Sequence, residues 1–415
     1  MNAFAKSYEE AKRLGQASQN NPHDIQLAWR TSFALHEIGM FQEAYLYGKR
    51  ALYQMDEPSD QDYLYMVYVA SKAHKFDEAN AMIESVGTMN ALYWALKGVL
   101  AQLLNDMEMA LYYYNIAYAK DCCPQTSYNL ALALLVTGRW QEGWKAAREF
   151  PPPNRQPKSG TPYWRGEDVE ELWIANDQGI GDTICFARFI PELLKKAKKV
   201  HWTVAPQLKA LMQFNYPEVN WLADKREHTP ATIDAWTGMM HMVATLSPEP
   251  EQMKSAPYLD WCETGKELRS EKPILGICWQ GNVRYGSDHD RSIPIQTLDA
   301  VLPYLGTKYT LQSLQFNGNE YLPKGIAPMP KVKRLHQTLM LIESCDAVLS
   351  VDTSVAHLAG AIGKPVFMLN RFSSDWRWGL EGEKTFWYDS MTILRQRRPV
   401  DWAGALSLAV EKLMN

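Results

Sequence analysis

The stretch Val348-Leu-Ser-Val-Asp352-Thr-Ser-Val-Ala-His357-Leu-Ala-Gly-Ala-Ile-Gly363-Lys-Pro-Val-Phe-Met-Leu369 decides the fold of the C-terminal part of the chain. It reads strand, turn, helix, turn, strand. Ala347 to Val351 is a short apolar, β-branched run, and Asp352 and Thr353 are N-cap residue types where a helix should begin. The helix is expected to close at Gly363, and Pro365 opens the next run, Val366 to Leu369. A helix that starts at the C-terminal edge of a strand offers unpaired backbone N–H groups and a positive dipole end, which suits a diphosphate. The plain alternative is an ordinary α/β crossover with a well-capped helix. Capping accounts for Asp352 or Thr353 but gives no reason for His357 one turn in.

Working outward, the same alternation runs back to about residue 166. Strands are expected at Leu172–Ala175, Val200–Val204, Ile274–Trp279 and Thr310–Leu314, besides Ala347–Val351 and Val366–Leu369. Strands alternating with helices imply parallel sheets. Residues 225–272 carry weak signals and several prolines, and hold the crossing from one sheet domain to another. Upstream, Phe150-Pro-Pro-Pro-Asn-Arg-Gln-Pro-Lys-Ser-Gly-Thr-Pro162 resists both helix and sheet and reads as an irregular or extended connector.

Residues 1–150 have another character. Gly39-Met-Phe41-Gln-Glu43-Ala44 recurs as His74-Lys-Phe76-Asp-Glu78-Ala79, then as Asn105-Asp-Met107-Glu-Met-Ala110, then as Gly138-Arg-Trp140-Gln-Glu142-Gly143. The small residues step by 35, 31 and 33, near the period of about 34 of helical-hairpin repeats of the tetratricopeptide kind. A small residue lets two helices approach, and the aromatic or Met before it fills the neighbouring groove. Such hairpins stack into a solenoid with a concave surface. Tyr63, Tyr65, Tyr68, Tyr93, Trp94 and Tyr112–Tyr114 read mostly as packing between repeats. Trp140 and Trp144 are expected to pack on the region that follows. The expected organisation is 1–150 repeats, 151–165 linker, 166–270 a first Rossmann-like domain and 271–415 a second.

Bulk composition narrows the function. The chain has 415 residues, 46% of them hydrophobic, and a formal net charge of −4. No long basic run supports nucleic acid as the main partner. Six cysteines occur without zinc-type or C-x-x-C spacing, which fits a reducing, cytoplasmic setting. The first ten residues lack an apolar leader core, and no run nears about 18 apolar residues, so membrane insertion is not expected.

Four loops carry polar residues at strand ends. In Gln178-Gly179-Ile-Gly181-Asp182, the glycines permit a tight turn and close approach of a ligand, and Asp182 sits at a helix start. Asp182 is either an N-cap or a carboxylate at the cleft edge, able to take a proton from a substrate hydroxyl. A dinucleotide fingerprint fails, because Ile184 stands three beyond Gly181 and no ribose-binding acid ends the next strand, so a nicotinamide oxidoreductase is disfavoured. Trp279-Gln280-Gly281-Asn282 opens a long loop through Arg284 to Arg291. Gln312-Ser313-Leu314-Gln315 ends another strand, and Asn370-Arg371 to Asp375-Trp376-Arg377-Trp378 follows the last, with arginines suited to phosphate.

Taken together, these pieces resemble a tetratricopeptide-repeat glycosyltransferase with a heptosyltransferase-like catalytic region. The resemblance runs through Trp140-Gln-Glu-Gly-Trp144, Tyr163-Trp-Arg-Gly166, Gln178 to Asp182 with Arg188 and Pro191, Trp279 to Asn282, Arg291-Ser-Ile-Pro294, Ser313-Leu-Gln315, Val351 to Gly360 and Asp375 to Trp378. It implies a helical solenoid followed by a GT-B fold, two Rossmann-like domains facing across a cleft. It implies inversion without a metal, no cofactor, and a nucleotide-diphosphate sugar as co-substrate. By position it makes Asp182 the general base. It places donor contacts at Trp279, Gln280, Gly281, Asn282, Arg291, Ser313, Gln315, Asp352, Thr353, Ser354, His357 and Arg371, and an acceptor-side loop at Gln178, Gly179, Gly181 and Arg188. Ser354 stands where heptosyltransferases commonly have Gly. Asp288-His-Asp290 resembles the D-x-D metal motif of other glycosyltransferases, but its loop holds no further carboxylate or His at metal spacing, and no metal is expected.

The acceptor is expected to be a macromolecule engaged by the repeats: a protein, a saccharide or a hydroxymethylated DNA base. The competing reading is an interaction or scaffold protein whose repeats do the work, with a degenerate sugar-nucleotide domain behind them.

Overall fold

The computed structural model describes residues 3–152, 157, 160–224, 233–253, 255–261, 270–282, 288–316 and 322–415. Arg284, parts of the 225–272 crossing and most of the proline-rich connector between 153 and 159 lie outside the described residues. The chain forms two compact units. One is Met1–Ala133 with Gly281–Asp290, the other Leu134–Gln280 with Arg291–Asn415.

The first unit is helical: α1 (Ala3–Asn20), α2 (Ile25–Glu37), α3 (Phe41–Gln54), α4 (Asp60–Lys72), α5 (Phe76–Ile83), α6 (Ala91–Leu103), α7 (Met107–Lys120) and the start of α8 (Pro124–Val136). Ala44, Ala79 and Ala110 are all fully buried, as the repeat pattern requires, and Phe41 and Met107 are buried beside them. Each repeat turn also reuses one backbone trick. Gly39, His74, Asn105 and Gly138 all have positive φ, between 54° and 79°. At each turn, the next residue's N–H reaches back to a helix carbonyl, as in Lys75 to Ala70 (2.8 Å) and Asp106 to Ala101 (2.9 Å). This is the left-handed closure of a Schellman-type helix end.

The second unit takes the end of α8 from Leu134 and the last repeat helix, α9 (Trp140–Ala147). Trp144 is fully buried, donates its indole N–H to the Pro248 carbonyl at 2.9 Å, and packs edge-on against Trp376. The expected packing of these tryptophans on the following region thus draws α9 into the sheet unit, and the compact boundary falls before the prolines rather than at them.

Two parallel sheets follow. The first orders β1 (Val169–Ala175), β2 (Ala197–Val204), β3 (Asn220–Ala223) and β4 (Ala235–Gly238) as β3-β2-β1-β4. The second orders β5 (Ile274–Cys278), β6 (Thr310–Ser313), β7 (Ala347–Val351), β8 (Val366–Asn370) and β9 (Met391–Arg395) as β6-β5-β7-β8-β9. The six expected strands are present within a few residues. β3 and β4, four residues long, and β9, five residues long, were not foreseen. β5 and β7 are buried at every residue, as parallel strands covered on both faces should be. The helices of this unit are α10 (Ile180–Phe186), α11 (Ile190–Leu193), α12 (Lys209–Asn215), α13 (Met239–Leu246), α15 (Ile295–Asp299), α16 (Leu302–Lys308), α17 (Leu335–Glu343), α18 (Ser354–Ala361) and α19 (Trp402–Met414); the short α14 (Asp288–Arg291) lies at the junction of the units. The parallel sheets with their helices fit the GT-B arrangement of two Rossmann-like domains. No described helix is long and apolar enough to cross a membrane.

In each sheet the chain reverses its winding at one place: between β1 and β4 in the first, between β5 and β7 in the second. Open parallel sheets bind ligands at the carboxyl ends of the strands flanking that switch. α10 leaves β1 there and α18 leaves β7 there. The two helices pack against each other.

Candidate active site

At the first switch point, Asp177 follows β1 and accepts the Met239 N–H at 2.8 Å, closing the start of α13. Asp182 is the third residue of α10. Its Oδ2 accepts the Gly179 N–H at 2.8 Å, while Oδ1 forms an ion pair with Arg377. The carboxylate therefore closes its own helix start with one oxygen and presents the other to the second sheet domain. The neighbouring glycines serve differently from expectation. Gly179 is extended (φ −75°, ψ 172°) and needs no left-handed turn. Gly181 is required by packing: a Cβ there would lie 2.7 Å from His357 Cδ2. The close approach at Gly181 is made by a side chain of α18.

At the second switch point, the cap-type residues do not cap. Thr353 occupies the N-cap position of α18 with φ −144° and ψ 171°, yet its side chain makes no capping bond. Its hydroxyl turns inward to Ser350 Oγ at 3.0 Å, beside the buried Cys278 thiol. Asp352 leans toward His357, Oδ1 to Nε2 3.7 Å, and its backbone carbonyl accepts from Arg291 at 3.0 Å. Burial, then the charge of Asp375, raises the Asp352 carboxyl, while Arg291 opposes the rise. His357 is buried, with Nδ1 2.8 Å from the Tyr388 hydroxyl. Burial, reinforced by the Arg377 charge, pushes its imidazole down to about 3, so it is neutral at physiological pH.

Arg377 joins the two halves. Its guanidinium lies over the Trp376 and Phe186 rings, at 4.3 and 5.2 Å, and pairs with both Asp182 and Asp375, the latter at 2.9 Å. Burial works against the charge, but the two carboxylates hold Arg377 well above its ordinary value, so it stays cationic. Burial likewise opposes ionisation of Asp375, and Arg377, its backbone N–H and Arg371 together bring that carboxyl below its usual value.

The structure thus gathers Gly181, Asp182, Arg291, Asp352, Thr353, Ser354 and His357, with Arg371 acting on Asp375 from the end of β8. Gln178 and Gly179 precede α10, half-buried and exposed respectively. The other expected contacts lie as follows. Trp279 is part of the second sheet's core. Gln315 is buried; its Oε1 accepts from the Trp279 and Gln280 N–H groups at 3.2 and 2.9 Å, and its Nε2 donates to the Gln280 carbonyl at 3.0 Å. Ser313 is fully buried and accepts from the Gln315 N–H. Through these bonds Ser313 and Gln315 tie the ends of β5 and β6 together. Gly281 and Asn282 group with the helical unit. Arg188 is buried, not in the acceptor-side loop. It donates to the Cys185 carbonyl and Tyr258 hydroxyl, 2.8 and 3.1 Å away, and lies over the Tyr258 and Tyr388 rings. Cation–π stacking on these rings adds to the hydrogen bonds of the buried guanidinium. Tyr388 was missed: it follows no motif, and only the fold brings it to His357.

Residues 327–399 match the Glycosyltransferase family 9 (heptosyltransferase) model. That span carries Asp352, His357, Arg371, Asp375, Arg377 and Tyr388. Among curated proteins, the chain is 24% identical over 307 residues to Protein FlbA of Caulobacter vibrioides, a stretch covering 63% of this chain and 50% of FlbA. The chain spans about half the length of the curated relative it matches. Among solved structures, it is similar to the iron-containing dodecameric glycosyltransferase TibC from enterotoxigenic E. coli (14% identity, TM-score 0.42, 60% of this chain and 77% of that one). It is also similar to the family 9 glycosyl transferase from Veillonella parvula (12% identity, TM-score 0.39, 60% and 96%).

Proposed function

We propose that the chain is an inverting, metal-independent glycosyltransferase that moves a sugar from a nucleotide-diphosphate donor to an acceptor hydroxyl. The observation that carries this reading is the meeting of Asp182 with the uncapped start of α18, each at the switch point of its own parallel sheet. The diphosphate sits at the first turn of α18, where backbone N–H groups and the helix dipole favour an anion. Arg291 and Arg371 add positive charge in place of a divalent ion.

Arg377 is the pivot. Before the donor arrives it neutralises Asp182. A diphosphate offers it a stronger anionic partner, and its transfer frees Asp182 Oδ1. Oδ2 remains held by Gly179, which keeps the carboxylate aimed. The acceptor hydroxyl gives its proton to Oδ1 while its oxygen bonds to the anomeric carbon. The bond from that carbon to the diphosphate breaks on the opposite face, and the nucleotide diphosphate leaves with the electron pair. Attack opposite the leaving group inverts the centre. Neutral His357 adds no charge; packed on Gly181 and held by Tyr388, it sets the spacing of α10 and α18.

The repeats supply the surface for a macromolecular acceptor, with protein or saccharide favoured. A DNA acceptor draws no support from a net charge of −4. Buried thiols at Cys185, Cys278 and Cys345 fit a reducing, cytoplasmic setting. The test is a thermal-shift panel of nucleotide diphosphates and nucleotide-sugars, with and without ligand in the same EDTA buffer. A ligand at 100 times its dissociation constant should stabilise the protein by about 2.7 kcal/mol. A shift that needs Mn²⁺ would overturn metal independence, and no shift with any nucleotide would favour the scaffold reading.

A further inference from the structure

The helical unit contains a histidine that its own repeat pattern does not explain. At the four equivalent left-handed turns stand Gly39, His74, Asn105 and Gly138. Gly and Asn are what such a backbone asks for, while His74 (φ 54°) adopts it at a conformational cost. Its side chain meets the end of segment Gly281–Asp290, which belongs to the same unit. His74 Nε2 lies 2.9 Å from Asp290 Oδ1, and His289 Nε2 lies 3.1 Å from the same oxygen. The three side chains are only 17%, 23% and 8% exposed, and their ligand atoms all lie within 4.8 Å of one another. Ligands about 2.0–2.1 Å from a tetrahedral centre stand roughly 3.3 Å apart. The loop read alone offered no further ligand; the fold supplies one from the repeats.

We propose that His74, His289 and Asp290 form a three-ligand site for a zinc-type divalent cation that fastens His289 and Asp290 to the α4–α5 turn. Two imidazole nitrogens and one carboxylate are a borderline donor set. They suit zinc and its neighbours rather than Mg²⁺ or Ca²⁺, which favour oxygen ligands, and one coordination position stays open. The Lys72 carbonyl, 2.8 Å from His289 Nε2, marks the competing state. With the ring proton on Nε2 the cluster is a hydrogen-bonded clasp; with it on Nδ1, the Nε2 lone pair faces the cation. The site uses none of the residues assigned to glycosyl transfer and stands or falls without that reading.

The test uses the full chain, stripped with a chelator and titrated with ZnCl₂ against a chromophoric competitor, with bound metal counted by elemental analysis. One zinc per chain is expected, with a rise in melting temperature on loading. His74→Asn keeps a residue that this turn accepts, as Asn105 shows, and removes a ligand. It should weaken binding by about 100-fold or more and abolish the loading shift. Should that variant fail to fold, His289→Gln decides by the same readout. Absence of one-per-chain binding, or equal binding by the folded variant, overturns the proposal and leaves the cluster a proton-held clasp.

Discussion

α10 and α18 are near twins in position. Each is a short helix leaving a central parallel strand at a switch point, and each faces the other. They differ at their first turns. α10 is closed by its own Asp182, whereas α18 has two cap-type residues that both turn away, Thr353 to Ser350 and Asp352 toward His357. A helix start left uncapped beside a closed one is a costly way to build a crossover, since a good cap is worth about 1 kcal/mol. The difference makes sense when one end supplies a base and the other receives an anion.

The largest expected effect comes from removing the charge on the closed side. Asp182→Asn retains an oxygen for the Gly179 N–H, so the fold and donor affinity should persist while turnover falls by roughly 10², about 2.7 kcal/mol. Steady-state rates with calorimetric donor titration check this, and unchanged turnover would reduce Asp182 to a cap. The next effect comes from closing the open side. Ser354→Glu puts a carboxylate in the first turn of α18, where the anion should lie. Donor affinity should drop about tenfold, about 1.4 kcal/mol, with folding stability altered by less than about 0.5 kcal/mol. If the affinity holds, the diphosphate binds elsewhere and the comparison loses its point.

The smallest effect concerns the residue between the two helices. The folded His357 value of about 3 lies below its ordinary 6.5. In that interval the unfolded chain binds a proton that the folded chain refuses, so stability falls as pH drops from about 6.5 toward 3. His241, pushed down to about 4 chiefly by burial, acts in the same direction. His357→Asn should flatten, without abolishing, the loss of urea resistance between about pH 7 and 5. An unaltered slope would mean that His357 is protonated in the fold and that the helices are spaced by something else.

Much of this was legible in the sequence because periodicity and loop chemistry are local. The repeat register gave Ala44, Ala79 and Ala110 their burial, and the run from Ala347 to Leu369 gave β7, α18 and β8 in order. Side-chain direction was not legible. Nothing local says that Thr353 turns inward, that Gln315 spends its amide on backbone, or that Arg188 is buried among aromatic rings. Those outcomes depend on partners such as Ser350, Gln280 and Tyr388 that meet only in three dimensions. The position of α9 was half legible: two tryptophans in one short helix announce an apolar neighbour without naming it.

That helix has a practical consequence for engineering. The proline-rich connector invites a junction near residue 150, but a chimera joined there would graft Trp140 and Trp144 onto a foreign array and strip the sheet unit of the indole that fills the Pro248–Trp376 site. An exchange of repeats, or a transplant of the catalytic part onto another solenoid, should keep α9 with its sheets and place the seam upstream, close to Ala133–Leu134.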